Sequence, residues 1–292
     1  MNATAPVPFT VDETGSGLPV LLLHGGAGPA SMRPFAALLA ERHSARVLLP
    51  THPGFDGTPR PATLDGIRAL AAAYTALLAE RGLTGVTVVG NSIGGWIAAE
   101  MGLLDEGRIA ASVILNGVGI TVPGHPLADF FALRPDEVAA LSFHDPARSP
   151  LAAADRFTQV QRATMAANRE ALSTYAGREM ADPTLAGRLA ATRVPTLVAW
   201  GTADRIASLG YGEAYAAAIP GAVFRRLADT GHLPQLETPE TVLAAVAEFT
   251  TPSKNPSFQL DSIIGNLLPP EAPRPAGPPS WPGVHPCWCQ AR

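Results

Sequence analysis

Short apolar runs alternate with stretches of helical periodicity over the first 120 residues. The runs that suit buried strands are residues 19–23, 46–49, 85–89 and 111–115. Apolar residues recur at helical spacing in 32–42, in 64–81 and in the segment that follows residue 92. Strands that alternate with helices of this length predict βαβ units and a parallel sheet.

The alternation stops after residue 116 and resumes near residue 195. Residues 121–193 hold no buried-strand run, but apolar residues recur there at helical spacing. The predicted elements from here on are helices at 136–141, 151–169, 184–192, 212–218 and 239–249, and strands at 195–200 and 222–227. The predicted fold is therefore α/β, with a mostly parallel central sheet flanked by helices. Residues 1–120 and 194–250 form its core, and residues 121–193 form a helical cap insertion.

Residues 251–292 differ in composition from the rest of the chain. They are rich in proline and show neither helical nor strand periodicity apart from a short apolar patch, which predicts a mostly disordered tail. Both cysteines, Cys287 and Cys289, lie in this tail. The body of the protein therefore has no thiol for a disulfide, a cysteine metal site or a cysteine nucleophile.

Charge and hydropathy exclude several classes of partner. The net charge is -4 and no basic run is present, which argues against nucleic acid and against an anionic membrane surface. No window is apolar for the roughly eighteen residues that a membrane span needs. The first residues lack the charged and apolar regions of a secretory signal, so the expected location is the cytoplasm. The sequence gives no indication of an oligomeric state.

The stretch Gly90-Asn91-Ser92-Ile93-Gly94 follows a predicted strand and begins a predicted helix. This is the context of a nucleophile elbow, in which a serine lies on a sharp, strained turn with its hydroxyl exposed. Glycines two positions before and after the serine allow the strand and the helix to cross closely. Ser92 is the predicted nucleophile.

A serine hydroxyl needs a base, and the base needs a carboxylate that fixes its tautomer. His232 follows the last predicted strand in a glycine-containing loop, at the sheet edge where side chains face a ligand crevice. Asp204 follows the strand at 195–200 and is the predicted acid. Asp229 is a rival because it is close to His232 in sequence, whereas Asn116, at the end of another strand, is an amide.

Acyl transfer also needs donors for the developing oxyanion. The backbone N–H of Ile93, directly after the nucleophile, is one predicted donor. The other comes from the glycine-rich loop after the strand at 19–23, where Gly26 is preferred and Ala27 is the second choice. A dinucleotide fingerprint fails in this loop because Ser31 stands where a third glycine is required. His24 is predicted to anchor the loop by hydrogen bonds.

Four separated motifs, LLLHGGAG, GNSIGGW, LVAWGTADRI and DTGHLPQLETPE, together resemble the α/β-hydrolase fold family, in the branch with a helical cap. The resemblance covers about residues 7–249, and the tail has no counterpart in it. Ser92 argues against haloalkane dehalogenases and epoxide hydrolases, which carry Asp at the elbow. The motifs are similar to those of meta-cleavage product hydrolases, esterases and lactonases. Nothing in the sequence suggests a metal or an organic cofactor.

These observations favour a serine hydrolase that acts on small, largely apolar carboxylic esters or related acyl compounds through Ser92, His232 and Asp204. Hydrolysis of a carbon–carbon bond in a meta-cleavage product and perhydrolase activity use the same residues and stay open. A ligand-binding receptor on the same fold is the alternative outside enzymes. Apolar residues predicted to line a substrate pocket are Trp96, Phe130, Phe131, Leu133, Phe143, Phe157, Met165 and Tyr175.

Overall fold

A central sheet organises residues 7–251, which are the residues that the computed structural model describes. Its strands are β1 (Thr10–Thr14), β2 (Leu18–Leu23), β3 (Ala45–Thr51), β4 (Val86–Asn91), β5 (Ile109–Leu115), β6 (Thr196–Gly201) and β7 (Val223–Leu227). They lie in the order β1-β3-β2-β4-β5-β6-β7, with β1 antiparallel to β3 and all other pairs parallel. The predicted mostly parallel sheet is confirmed. The predicted tail lies outside the described residues except for Thr251.

Helices cover both faces of the sheet. They are α1 (Arg33–His43), α2 (Ile67–Glu80), α3 (Ile93–Leu104), α4 (Pro135–Ser142), α5 (Gln159–Ala176), α6 (Leu185–Leu189), α7 (Leu209–Ala217), α8 (Pro234–Glu237) and α9 (Pro239–Thr250). Buried residues of α1 and α9 belong to the apolar cluster on one face, and those of α2, α3 and α7 belong to the cluster on the other. This arrangement confirms the predicted flanking helices.

The strand residues show why both faces must be covered. In β2, Leu21 and Leu23 belong to one cluster, whereas Val20 and Leu22 belong to the other. Successive side chains of a strand point to opposite faces, so a continuous apolar run requires a helix layer on each side.

Strands β2 and β4 are parallel neighbours, and their pairing runs from Val20 opposite Thr87 to Leu23 opposite Gly90. The strand order reverses between them. The chain leaves β2 toward β3 on one side of this pair, and it continues from β4 toward β5 on the other. In open α/β sheets the loops at the carboxyl ends of such strands diverge and leave a crevice. The glycine-rich loop after β2 and the elbow after β4 therefore border the same crevice.

The inserted segment, residues 121–193, lies between β5 and β6 and contains α4, α5 and α6. The helix expected at 151–169 is divided, because a 3₁₀ turn at Pro150–Arg156 precedes α5. Thr158 is responsible for the new start: its hydroxyl accepts the Gln161 N–H, and the Gln161 side chain accepts the Thr158 N–H. Within residues 7–251, no helix is long and apolar enough to cross a membrane.

Candidate active site

Ser92 lies at the sharp turn between β4 and α3. Its backbone has φ 57° and ψ −118°, a conformation that L-residues rarely adopt. A β-carbon on Gly90 would collide with the Gly94 carbonyl, and one on Gly94 would collide with the carbonyls of Leu23 and His24. The turn therefore tolerates only glycine at these two positions. Such strain costs on the order of 1–3 kcal/mol and is typical of functional sites.

The structure brings Ser92, His232 and Asp204 together in one hydrogen-bonded series. The Ser92 hydroxyl oxygen lies 3.0 Å from His232 Nε2, and His232 Nδ1 lies 2.8 Å from an Asp204 carboxylate oxygen. A carboxylate only accepts, so Nδ1 carries the proton of a neutral ring and Nε2 is left to accept the serine O–H. This is the tautomer that a general base for Ser92 requires.

Asp204 is buried after β6 and accepts four hydrogen bonds. Besides His232, the Asn116 amide donates to it at 2.7 Å, and the backbone N–H groups of Ile206 and Ala207 donate at 2.8 and 3.0 Å. Four donors suit the ionised, acceptor-only form of a carboxylate. Asn116, which the sequence offered only as an amide at a strand end, thus contacts the candidate acid directly.

The rival acid is directed elsewhere. The Asp229 side chain is 85% exposed, and one of its carboxylate oxygens lies 4.0 Å from His144 Nε2. Its backbone has φ 50°, in the left-handed region that Asp tolerates in turns. Asp229 therefore shapes the loop before His232, and Asp204 provides the carboxylate that His232 contacts.

The backbone of His232 is fixed on both sides. Its N–H donates to the Ser142 carbonyl at 2.6 Å, and its carbonyl accepts from the Asn91 side chain at 2.9 Å. The buried carboxylate of Glu237 accepts the N–H of Gly231 at 2.7 Å. It also accepts the N–H groups of His144 and Asp145, at the end of α4. Glu237 therefore ties the inserted segment to the histidine loop, a role that local sequence gave no reason to predict.

The glycine-rich loop after β2 packs against the elbow. A β-carbon on Gly25 would lie 3.0 Å from the Ser92 β-carbon, so the two backbones are in close contact. Among the residues that the structure describes, the N–H groups of Gly26, Ala27 and Ile93 donate to no protein acceptor. Ile93 is also the first residue of α3, where the helix dipole favours negative charge. The region beside Ser92 thus has unpaired donors for an oxyanion.

The predicted pocket residues lie in α3 and in the inserted segment. Trp96 is buried and packs against Gly119, and Phe143 is buried at the end of α4. Phe130 and Phe131 are half-buried and form an edge-to-face pair at 5.5 Å, with the Arg169 guanidinium over both rings. Their assignment to a substrate pocket stays a prediction.

Sequence reasoning missed one side chain beside the glycine-rich loop. Leu172, on the buried face of α5, covers Gly26, since a β-carbon on Gly26 would lie 2.9 Å from a Leu172 methyl group. Periodicity marks α5 as amphipathic, but it does not say which core loop the apolar face contacts. In the stretch from residue 7 to residue 251, no group of three or more potential ligands could hold a metal ion.

Comparisons with known proteins identify the family of the chain. The model of the Alpha/beta hydrolase family matches residues 20–246. A 2-hydroxy-6-oxononadienedioate/2-hydroxy-6-oxononatrienedioate hydrolase of Cupriavidus pinatubonensis is 26% identical over 265 residues, covering 82% of this chain and 89% of that protein.

Two solved structures share the fold. A thermophilic esterase from Thermogutta terrifontis has a TM-score of 0.61 and 24% identity over 82% of this chain and 92% of its own. A meta-cleavage product hydrolase from Pseudomonas fluorescens has a TM-score of 0.68 and 19% identity over 82% and 93% of the two chains. Since the family model matches most of the chain and the sheet has the corresponding architecture, the chain belongs to the alpha/beta hydrolase family and is a hydrolase of that fold.

Proposed function

We propose that the protein hydrolyses small, largely apolar carboxylic esters or related acyl compounds with Ser92 as the nucleophile. The observation that carries this proposal is the hydrogen-bonded series from Asp204 through His232 to Ser92. The unpaired N–H groups of Gly26 and Ile93 beside it supply the second requirement of acyl transfer, a site for negative charge.

The reaction follows from these roles. His232 Nε2 takes the proton of Ser92 as the serine oxygen attacks the ester carbonyl, and the Gly26 and Ile93 N–H groups stabilise the resulting oxyanion. His232 then donates the proton to the departing alkoxide, which leaves an acyl group on Ser92. A water that gives its proton to His232 attacks this acyl group, and collapse of the second oxyanion returns the proton to Ser92 and releases the acid.

The preference for apolar acyl groups rests on the inserted segment, which we assign as a cap. Leu172 of this segment covers Gly26, so an apolar side chain borders the candidate oxyanion donor. The half-buried Phe130 and Phe131 pack against the same apolar cluster as α3. An acyl chain beside Ser92 would gain burial against such surfaces, at roughly 25 cal/mol per Å².

Ester hydrolysis is tested with p-nitrophenyl butyrate and with a fluorophosphonate probe that labels activated serines. We expect turnover and labelling of the wild type, and loss of both in Ser92→Ala. The matched control is Ser112→Ala, because Ser112 is a buried serine of β5 whose hydroxyl bonds to no partner among the described residues. Retention of both signals in Ser92→Ala, or recovery of a tightly bound but unchanged ligand from an inert wild type, would contradict the proposal.

Carbon–carbon bond hydrolysis is the second candidate, because the Cupriavidus relative, which is named a 2-hydroxy-6-oxononadienedioate/2-hydroxy-6-oxononatrienedioate hydrolase, is aligned over most of both chains. The same series of residues would act on a vinylogous diketone. Loss of the absorbance of a ring-fission dienoate, compared with the rate on p-nitrophenyl butyrate, separates the two chemistries. A kcat/KM for the dienoate well above that for every ester would reverse the order of the candidates.

A further inference from the structure

A buried cluster of one tyrosine and two histidines lies behind the glycine-rich loop, and the mechanism above uses none of the three. Tyr74 belongs to α2, His52 follows β3, and His24 follows β2. All three side chains are fully buried. Buried polar groups of this kind are costly unless their hydrogen bonds are complete, so their arrangement requires an explanation.

Each polar atom of the cluster has a partner at short range. The Tyr74 hydroxyl lies 2.6 Å from His52 Nδ1, and His52 Nε2 lies 2.9 Å from the His24 carbonyl. The His52 backbone N–H donates to His24 Nε2 at 3.0 Å. His24 Nδ1 lies 2.8 Å from the Gly25 carbonyl. The series therefore ends on the backbone of the loop that carries the Gly26 N–H.

The partners determine which ring nitrogens carry protons. A carbonyl only accepts, so His52 Nε2 is the protonated nitrogen of that ring and His52 Nδ1 accepts from the Tyr74 O–H. A backbone N–H only donates, so His24 Nε2 is the acceptor and His24 Nδ1–H donates to Gly25. Every hydrogen bond of the series then points from Tyr74 toward the loop, and both rings are neutral.

Burial supports these protonation states. It lowers the pKa of His24 to about 4 and the pKa of His52 well below its ordinary value, so both rings stay neutral near pH 7. It raises the pKa of Tyr74 well above 10, so the hydroxyl remains a donor.

Packing leaves the rings little freedom. The two imidazoles stack with centroids 3.7 Å apart, and Phe55 contacts both of them edge-on. Phe9 stacks on Tyr74 at 4.5 Å. On the opposite side, the backbone of the loop is pressed against Ser92 and Gly94. A change in the hydrogen bonds of the cluster would thus be transmitted to the loop.

We propose that Tyr74 is a positioning residue for the candidate oxyanion hole: its hydroxyl donates to His52 Nδ1 and holds that ring against the His24 carbonyl, and this contact keeps the backbone from His24 to Gly26 beside Ser92. The inference rests on the proposed function, since an oxyanion must form there. Without the hydroxyl, His52 Nδ1 is a buried acceptor with no donor, and the ring loses one of the two partners that hold it in place.

Removal of the Tyr74 hydroxyl should weaken stabilisation of the transition state and leave binding of the substrate nearly unchanged. Loss of one oxyanion donor lowers kcat by roughly 10²–10³-fold, and misplacement of a donor that is still present should lower kcat by about 10-fold. KM for a short ester should change less than 2-fold, because the ground-state carbonyl does not need the donors equally. Affinity for an alkyl boronic acid, which forms a tetrahedral adduct on an activated serine, should fall about as much as kcat/KM.

The experiment compares Tyr74→Phe with Tyr215→Phe in the full chain. Tyr215 is also a fully buried tyrosine, but its hydroxyl bonds to no partner among the described residues, so its removal should leave kcat and boronate affinity unchanged. The readouts are kcat and KM for p-nitrophenyl butyrate, Ki for butylboronic acid and the melting temperature. A lower melting temperature of Tyr74→Phe with unaltered kcat and Ki would show a merely structural role and overturn the inference.

A second measurement needs no variant. In ¹⁵N-histidine NMR of the wild type between pH 6 and 9, His24 should be protonated on Nδ1 and His52 on Nε2. The opposite tautomer of either ring, or a doubly protonated ring, would overturn the series. If the wild type neither turns over esters nor is labelled, the proposed function fails and the role of Tyr74 in an oxyanion hole fails with it. Normal rates in both wild type and Tyr74→Phe overturn the inference alone.

Discussion

The loops at the carboxyl edge of the sheet and the inserted segment are stabilised in different ways. At the edge, the polar atoms of Asp204, His232 and Asn116 bond to one another and to core backbone, and the side chains are buried. The donors and acceptors come from strand ends that the sheet already holds in register. The geometry of the site is thus fixed by the core.

The inserted segment is joined to the core at separate anchors. Arg188 of α6 forms two hydrogen bonds, of 2.6 and 2.7 Å, with the buried Glu100 of α3. Asn168 of α5 and Asp56 of the loop after β3 form a reciprocal pair, in which each donates to the other at 2.8 to 2.9 Å. The Glu237 carboxylate binds the end of α4.

This difference separates chemistry from selection of substrate. Substitutions of the polar residues at the carboxyl edge should abolish turnover, because each of these side chains has a defined partner there. Changes at one anchor of the inserted segment should shift the segment relative to the crevice, and they should affect KM and stability more than kcat.

The largest expected effect is that of Asp204→Asn. An amide at this position can present an N–H to His232 Nδ1, which would favour the tautomer that places a proton on Nε2, against the Ser92 hydroxyl. We expect kcat to fall by about 10⁴-fold with an unchanged fold, as is typical when the acid of such a series becomes an amide. Steady-state kinetics with p-nitrophenyl butyrate and circular dichroism provide the measurement.

Asp229→Asn is the matched control, because Asp229 is the neighbouring aspartate in sequence and its side chain is exposed. It should retain at least half of the wild-type kcat/KM. A loss in Asp229→Asn comparable to that in Asp204→Asn would remove the distinction between the two carboxylates.

The strands and loops at the carboxyl edge of the sheet could be predicted because the sequence patterns that mark them are local. Apolar runs identified the strands, and glycines identified the elbow, whose serine then set the search for an acid and a base at later strand ends. Strand β1, the outermost strand of the sheet, was missed because four of its five residues are exposed. It therefore lacks the apolar run on which the prediction of strands depended.

The remaining features depend on contacts distant in sequence. The amide of Asn116 contacts a carboxylate 88 residues later, and His52 contacts Tyr74 from a different element. Glu237 was in a recognised motif, but its bonds to the end of α4 follow only from the path of the inserted segment. Periodicity assigns a residue to a face, whereas these partners are chosen by the tertiary fold.

A smaller effect is expected on the free energy of unfolding when the pH is lowered, because the buried histidines are neutral in the folded protein. An unfolded histidine binds a proton near pH 6.5, but His24 in the folded protein does so only near pH 4. The unfolded state therefore holds more protons in this range, and stability is lost as the pH falls from about 6.5 to 4. His24 alone accounts for about 3 kcal/mol of lost unfolding free energy at the acid end.

Urea unfolding at several pH values measures how the free energy of unfolding depends on pH. His52→Asn should reduce this dependence on pH, because the His52 ring is fully buried and its pKa lies well below the ordinary value. A wild-type unfolding free energy that is constant between pH 7 and 5 would contradict the burial of neutral rings.

The smallest expected effect is that of Asn168→Ala, which tests whether the inserted segment is held by separable anchors. The amide is buried, but Asp56 is exposed and water can replace its lost partner, so we expect a loss of about 1 kcal/mol in unfolding free energy. KM for p-nitrophenyl butyrate should change several-fold while kcat stays within 2-fold, because the Asp204–His232–Ser92 series is untouched. Glu170→Ala, at an exposed position of the same helix, should change neither quantity. A fall in kcat of Asn168→Ala larger than its change in KM would show that α5 positions the site itself, and the separation between the two regions would then fail.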